Sequence, residues 1–181
     1  MLYRFEPIVK ATITFLKLLN VKVNNSTVDE TLQNHPDWPS LLCISDALSK
    51  WNIPNAAGKI EKQDIERIPT PFLVQTFNSV SPIEVITDVD DTFVKVLSKD
   101  FDNPVPERRE DFFKRWNGIY LLAEKAGISG EDNFKENKQK RNFKVLMQAM
   151  LVLFIFIISF LFIERNTFSL PSAVSKYGIY L

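Results

Sequence analysis

VLMQAMLVLFIFIISFLFI, at residues 145–163, is the stretch that sets the organisation of the chain. It contains no charged residue, and Gln148 and Ser159 are the polar side chains within it. At about 1.5 Å per residue, a helix of this length spans roughly the 30 Å hydrocarbon core of a bilayer. A buried helix of a soluble domain is usually shorter, and a signal peptide would lie at the N-terminus. The stretch therefore predicts one transmembrane helix.

Charged residues on the two sides of this helix indicate its orientation. The N-terminal flank is basic, with one acid: Lys135, Glu136, Lys138, Lys140, Arg141 and Lys144. The other flank carries Glu164, Arg165 and Lys176. Because basic flanks stay on the cytoplasmic side, the N-terminal domain is predicted to face the cytoplasm. The basic flank would also meet anionic headgroups, or form a solvated linker.

Composition excludes several classes of function for the rest of the chain. The 181 residues carry a formal net charge of zero, which argues against a nucleic-acid partner. Cys43 is the single cysteine, so an intramolecular disulfide is excluded and a reducing compartment is favoured. Zinc-site spacing, a P-loop and a GxGxxG motif are all absent, so we predict neither a metal nor a cofactor.

The N-terminal part predicts three helices. The first covers residues 6–19, where Pro7 suits a first helical position and apolar residues recur on one face. The second runs from the capping-box pair Thr27 and Glu30 to about residue 32. The third, at about residues 40–51, follows a two-proline loop, and Ser40 either caps it or lies in its first turn.

Further along, the apolar period changes from that of helices to that of strands. Strands are predicted at residues 56–60, 72–76, 83–87, 92–97 and 119–123. One helical turn is predicted at 62–67, a turn at 78–82, a loop at 101–106, a helix at 108–116, a turn at 117–118 and a polar linker at 127–140. Three helices followed by a mostly antiparallel sheet, with one helix before its last strand, make an α+β domain.

Few residues are candidates for chemistry. Cys43 and His35 are the possible thiol nucleophile and imidazole base, but Cys43 lies inside a helix with a buried face. We therefore interpret Cys43 as a core residue and His35 as a loop residue that bonds locally. The acidic turn of Asp88, Asp90 and Asp91 could hold a hard cation, but solvation of such a turn is the commoner outcome. Three tryptophans are predicted to belong to the core: Trp38, Trp51 and Trp116.

Four separated segments resemble one family in order. PSLLCISDAL at 39–48 resembles the helix SLLGLSKAAEKLG of the double-glycine leader peptidase domain, the papain-like domain of bacteriocin exporters (family thirty-nine of the cysteine peptidases). AAGKI at 56–60 resembles its first strand, and IPTPFLV at 68–74 resembles LPLPAIAHW. WNGIYLLAE at 116–124 resembles the closing strand WTGYALLLE. The resemblance covers about residues 5–125 and implies a papain-like cysteine peptidase-type fold.

The catalytic positions of that family are occupied differently here. The family places its oxyanion glutamine and nucleophilic cysteine at the start of the first helix, where this chain has YRFEPIV at 3–9. Its histidine matches the region SPIE at 81–84, and its aspartate matches Asp100 weakly. Neither the nucleophile, the base nor the oxyanion donor is present, so no catalytic residue is carried over. The resemblance therefore implies a non-catalytic, peptidase-like domain.

The architecture also resembles a second group of bacterial proteins. In these, a peptidase-like domain with an HPDWPS-type loop, here at residues 35–40, precedes a membrane oxidoreductase similar to vitamin K epoxide reductase. Such enzymes use cysteine pairs, which this chain lacks. A redox module would have to lie beyond Leu181 or in a partner.

Together these observations predict four regions. They are a peptidase-like domain at 1–126, a basic linker at 127–144, the transmembrane helix at 145–163 and a tail at 164–181 that is interfacial or begins a second span. The function expected from the resemblance is binding of a leader-like peptide or a membrane-protein partner, from the cytoplasmic side of a bacterial inner membrane. Alternatives are an active cysteine peptidase that cleaves leader peptides, or a regulatory part of a thiol-oxidising membrane system.

Overall fold

The structure is a computed structural model that describes residues 5–77, 82–97 and 103–167. The chain forms two units, Met1–Phe134 and Lys135–Leu181. Asp100, most of the predicted turn at 78–82 and most of the tail lie outside the described residues.

Three helices open the first unit, as predicted: α1 (Pro7–Leu18), α2 (Asn25–Gln33) and α3 (Leu41–Lys50). Ser40 caps α3, since its hydroxyl accepts a hydrogen bond from the Cys43 backbone amide at 3.2 Å. The predicted capping box of α2 is wrong. This helix begins after Asn24, two residues before the predicted start, and the backbone amide of this cap residue donates to the Glu131 carboxylate at 2.8 Å.

Among the described residues, six strands form one antiparallel sheet in the order β1-β6-β2-β3-β4-β5, which confirms the predicted α+β class. Their bounds are β1 (Asn55–Lys59), β2 (Phe72–Thr76), β3 (Ile83–Val89), β4 (Phe93–Leu97), β5 (Val105–Arg108) and β6 (Trp116–Ala123). A 3₁₀ helix (Lys62–Arg67) follows β1, and α4 (Arg109–Arg115) precedes β6. The predicted helix before the last strand is therefore confirmed.

Two predicted connections belong to the sheet instead. The predicted proline loop contains the start of β5, an edge strand where Pro106 removes no hydrogen bond that the sheet needs. The predicted turn at Asn117 and Gly118 lies inside β6, where the register with β2 shifts. Gly118 has φ of 83°, a conformation typical of glycine, so these two residues make a bulge and not a turn.

Apolar side chains cover both faces of the sheet. We call the side that packs against α1, α2 and α3 the first core, where Phe15, Ile44 and Val85 are fully buried. On the opposite face, the second core includes Phe72, Phe112 and Trp116. Because successive strand residues point to opposite faces, the four inner strands β6, β2, β3 and β4 contribute to both cores.

The segment after β6 is attached to the helical layer. Gly130 donates its backbone N–H to the Trp51 carbonyl at 2.9 Å, and Glu131 donates to the Lys22 carbonyl at 3.0 Å. A long helix, α5 (Phe134–Thr167), then begins. The region predicted as a linker at 127–144 thus consists of an attached loop followed by the first turns of α5.

Within the described residues, α5 is the one helix long and apolar enough to cross a membrane. Its window of highest hydropathy has no buried residue. The Ser159 hydroxyl donates to the Ile155 carbonyl at 2.9 Å, so that polar group is satisfied within the helix.

Candidate functional site

A depression of about 480 Å³ lies where α1 begins, α2 ends and β3 begins. The described residues that line it are Glu6, Pro7, Ile8, Gln33, Trp38, Pro39 and Pro82. Its volume is in the range of small-ligand pockets.

Local structure fixes the backbone at several of these residues. Glu6 is the residue before α1, and its carbonyl accepts the Lys10 backbone amide at 3.0 Å. Trp38 is held by its backbone N–H, which donates to the His35 carbonyl at 3.1 Å, and by packing against the first core. Three prolines add walls that have little freedom to move.

The depression has an acidic corner. The Gln33 side-chain amide donates to the Asp29 carboxylate at 2.7 Å. Asp29 is only 7% exposed, and burial, followed by the negative charges of Glu30 and Glu6, raises its pKa above the ordinary value of 3.8. The carboxylates of Asp29 and Glu6 therefore share one electrostatic environment.

The two chain regions that the resemblance assigns to catalysis meet at this depression. Glu6, Pro7 and Ile8 come from the region matched to the nucleophile, and Pro82 comes from the region matched to the histidine. Among the lining residues that the structure describes, none carries a thiol, a hydroxyl or an imidazole. Glu84, two residues after Pro82, is buried next to Arg115 on α4.

Cys43 lies in the first core and not at the depression. Its thiol donates to the Ser40 carbonyl at 3.0 Å, and burial raises the pKa of the thiol above its ordinary value. Reactive cysteines need the opposite shift, toward the thiolate. This geometry agrees with the interpretation of Cys43 as a core residue.

His35 lies in a different depression of about 600 Å³, between α2 and α3. Its Nδ1 accepts the Asp37 backbone amide at 3.2 Å, and its Nε2 lies 3.2 Å from the Asp46 carboxylate. Cys43 does not line this depression, so the structure does not bring the two candidate residues to one pocket.

The acidic turn is engaged within the protein. Lys95 pairs with Asp88 at 2.7 Å, and Asp90 accepts the backbone amides of Thr92 and Phe93 at 2.8 and 2.7 Å. The Phe93 and Thr92 amides lower the pKa of Asp90. Across the described ranges, no cluster of three or more His, Cys, Asp or Glu could hold a metal.

The three tryptophans differ in position. Trp51 and Trp116 are buried, and the Trp116 indole N–H donates to the Ile119 carbonyl at 2.9 Å. Trp38 is half-exposed and lines the depression at α1. The prediction of core positions is thus correct for Trp51 and Trp116, while Trp38 serves both the core and the pocket.

Sequence reasoning missed the ion pairs of Arg115. Its guanidinium pairs with Glu84 and Glu107, and it lies over the Phe112 ring at 5.1 Å. Burial disfavours the charged guanidinium, but hydrogen bonds to Glu107 and Glu84 raise the Arg115 pKa overall. Glu84 is 31 residues from Arg115 and Glu107 is eight, so the pairs form only when α4 packs beside β3 and β5.

Sequence comparison finds no protein-family model and no curated protein that matches this chain. Structure comparison, in contrast, finds the same fold in peptidase domains. A double-glycine motif protease of a transporter, solved in complex with the leader peptide, superposes with a TM-score of 0.59 and 12% identity, covering 70% of this chain and 89% of that one. The peptidase domain of Streptococcus ComA, a transporter involved in quorum sensing, gives 0.55 and 15%, covering 66% and 90%.

A third structure is the peptidase C39-like domain of a Vibrio parahaemolyticus toxin secretion ATP-binding protein. Its TM-score is 0.54 at 14% identity, and it covers 68% of this chain and 99% of that one. At these identities the likeness establishes the fold, which is that of the C39 leader peptidase domain, followed here by a candidate transmembrane helix.

Proposed function

We propose that this protein is a membrane-anchored peptide-binding module that has a peptidase fold and lacks peptidase chemistry. One observation carries the proposal, namely the lining of the depression between α1 and β3. Its described residues offer a carboxylate, an amide, an indole and three prolines, none of which can act as the nucleophile–base pair of a cysteine peptidase. The fold is kept while the groups that would attack a peptide bond are absent from this lining.

An extended peptide is the ligand that this pocket supports best. The double-glycine motif protease with the same fold was solved with a leader peptide bound. A depression of about 480 Å³ suits one or two side chains of an extended chain better than the surface of a folded protein. Because the proline walls are already rigid, the protein loses less conformational entropy when a peptide binds.

The membrane would hold this module close to its ligand. We place the domain at residues 1–126, the basic region at 127–144, a single span at 145–163 and a short tail at 164–181. We also place the domain on the cytoplasmic face of a bacterial inner membrane, which the basic residues before the span support. A peptide that is exported through a membrane partner would meet the domain there.

The test uses the full chain in phosphatidylcholine nanodiscs and a double-glycine leader peptide. Calorimetry follows binding, and mass spectrometry of the same samples follows cleavage. We expect saturable binding without cleavage, and binding that weakens about tenfold or more in Trp38→Ala because a pocket aromatic is lost. Phe93→Ala, which removes a partly exposed ring from β4, is the matched control and should bind as the parent does.

Two results would contradict the proposal. If no leader peptide binds, leader peptides are not the ligand of this domain. Cleavage by the parent that disappears in Cys43→Ala would show an active cysteine peptidase instead.

A further inference from the structure

The depression at α1 is lined by one carboxylate, an aromatic ring and three prolines. We infer that it binds a lysine or arginine side chain of the peptide, with the cation at Glu6 and the stem against Trp38 and the prolines. This inference rests on the proposed function and names the chemistry that the same pocket selects.

Charge is the first argument. Glu6 is exposed at the rim, and no basic side chain is found among the described residues that line the depression. Asp29 lies behind Gln33, which lines the depression and donates to it at 2.7 Å. The pocket therefore presents one accessible carboxylate backed by a second, buried one.

Electrostatic repulsion among the acidic side chains near the depression is the second argument. Burial and the neighbouring charges of Glu30 and Glu6 disfavour ionised Asp29, which its raised pKa reflects. A cation placed at Glu6 would relieve this repulsion, and a neutral or anionic group would not.

Shape is the third argument. Lysine and arginine have a long apolar stem and a charged head. Pro7, Pro39 and Pro82 offer apolar walls for the stem, and the half-exposed Trp38 ring offers a face that attracts cations. A short polar side chain would leave these walls exposed to water.

The test compares leader-type peptides that differ by one side chain. Each carries a single lysine at one position, scanned along the sequence, or norleucine at the same position. With the full chain in phosphatidylcholine nanodiscs, whose lipids are zwitterionic, we expect one lysine peptide to bind about tenfold tighter than its norleucine counterpart.

Two variants test whether the preference for lysine over norleucine arises at Glu6. Glu6→Gln should reduce the tenfold preference to about twofold or less, since it removes the accessible charge and keeps the size of the side chain. Glu110→Gln is the matched control, because α4 packs against the opposite face of the sheet, and it should keep the full preference. Circular dichroism confirms that both variants are folded.

A small probe separates this inference from the proposed function. N-acetyl-lysine methylamide should saturate a change in tryptophan fluorescence that Trp38→Phe abolishes, while the norleucine analogue gives no change. Peptides that bind equally well with lysine and norleucine would overturn the subsite and leave peptide binding intact. Binding of the small probe without any peptide would keep the subsite and overturn the peptide-binding function. Absence of response to every lysine probe would overturn the subsite.

Discussion

Glu131 accepts hydrogen bonds from both the backbone amide and the side-chain amide of Asn24, at 2.8 and 2.7 Å, although 107 residues separate them. Asn24 is the cap residue of α2, and the Thr27 hydroxyl donates to the same carboxylate at 3.1 Å. Glu131 thus does for α2 what a glutamate within the helix does in a capping box. It also fixes the loop through which the chain leaves the sheet.

Removing this carboxylate should destabilise the domain. In Glu131→Ala the largely buried amides of Asn24 lose their acceptor, so we expect a loss of about 1–3 kcal/mol in unfolding free energy. Denaturant titration of the full chain in detergent micelles, followed by tryptophan fluorescence, measures it. Glu124→Ala is the control at an exposed position and should change stability by less than about 0.5 kcal/mol. Equal effects of the two variants would contradict the capping role.

The ion pairs of Arg115 should be required for stability. Arg115→Met leaves the carboxylate of Glu84, which is 1% exposed, without its guanidinium, at an expected cost of about 3 kcal/mol. Adding Glu84→Gln to this variant should restore part of the loss, because the buried charge is then removed as well. Lys114→Met, at an exposed neighbour paired with Asp111, should have almost no effect. The same denaturant titration compares the three variants.

Asp29 should make stability depend on pH. Because its pKa is raised in the folded state, its stabilising contribution is present below the ordinary value of 3.8 and is lost as pH rises through the raised value. We therefore expect Asp29→Asn to be more stable than the parent at neutral pH, and equal to it below about pH 3.8. Thermal unfolding at a series of pH values measures the difference. A difference that stays constant with pH would show that titration of Asp29 is not the cause.

Gly118 should resist substitution. It has φ of 83°, and an added Cβ would lie 2.6 Å from the Ile60 carbonyl oxygen, a backbone atom. We expect Gly118→Ala to lower unfolding free energy by roughly 2–3 kcal/mol through strain at the bulge. Gly127→Ala, where no atom lies within 4 Å of the new Cβ, should be neutral or slightly stabilising. If the two variants unfold at the same denaturant concentration, the bulge does not need glycine.

Local chemistry explains why much of the fold follows from sequence. Ser40 caps α3 as predicted, because a hydroxyl three residues before an amide needs no distant partner. The long apolar stretch also forms a helix as predicted, since its length and lack of charge leave few alternatives. Periodicity likewise located β2, β3 and β4 within two residues at each end.

Features that depend on distant partners could not be read in this way. The predicted start of α2 was wrong because the backbone amide of its cap residue, Asn24, is bonded by the distant Glu131. Strand β5 was missed because it is defined by its pairing with β4. The candidate site has the same origin, since Glu6, Trp38 and Pro82 meet only after the helices pack on the sheet.

The sequence by itself determined most of the helices and strands, the α+β class and the long apolar helix, because these follow from composition and from neighbours within a few residues. That the positions matched to the nucleophile and the base hold other residues follows from the family resemblance. Only the tertiary structure decided which ends of α1, α2 and β3 share one depression, and that Cys43 and His35 do not share a pocket. The physical reason is that such a site is built from long-range packing, whose partners no local pattern specifies.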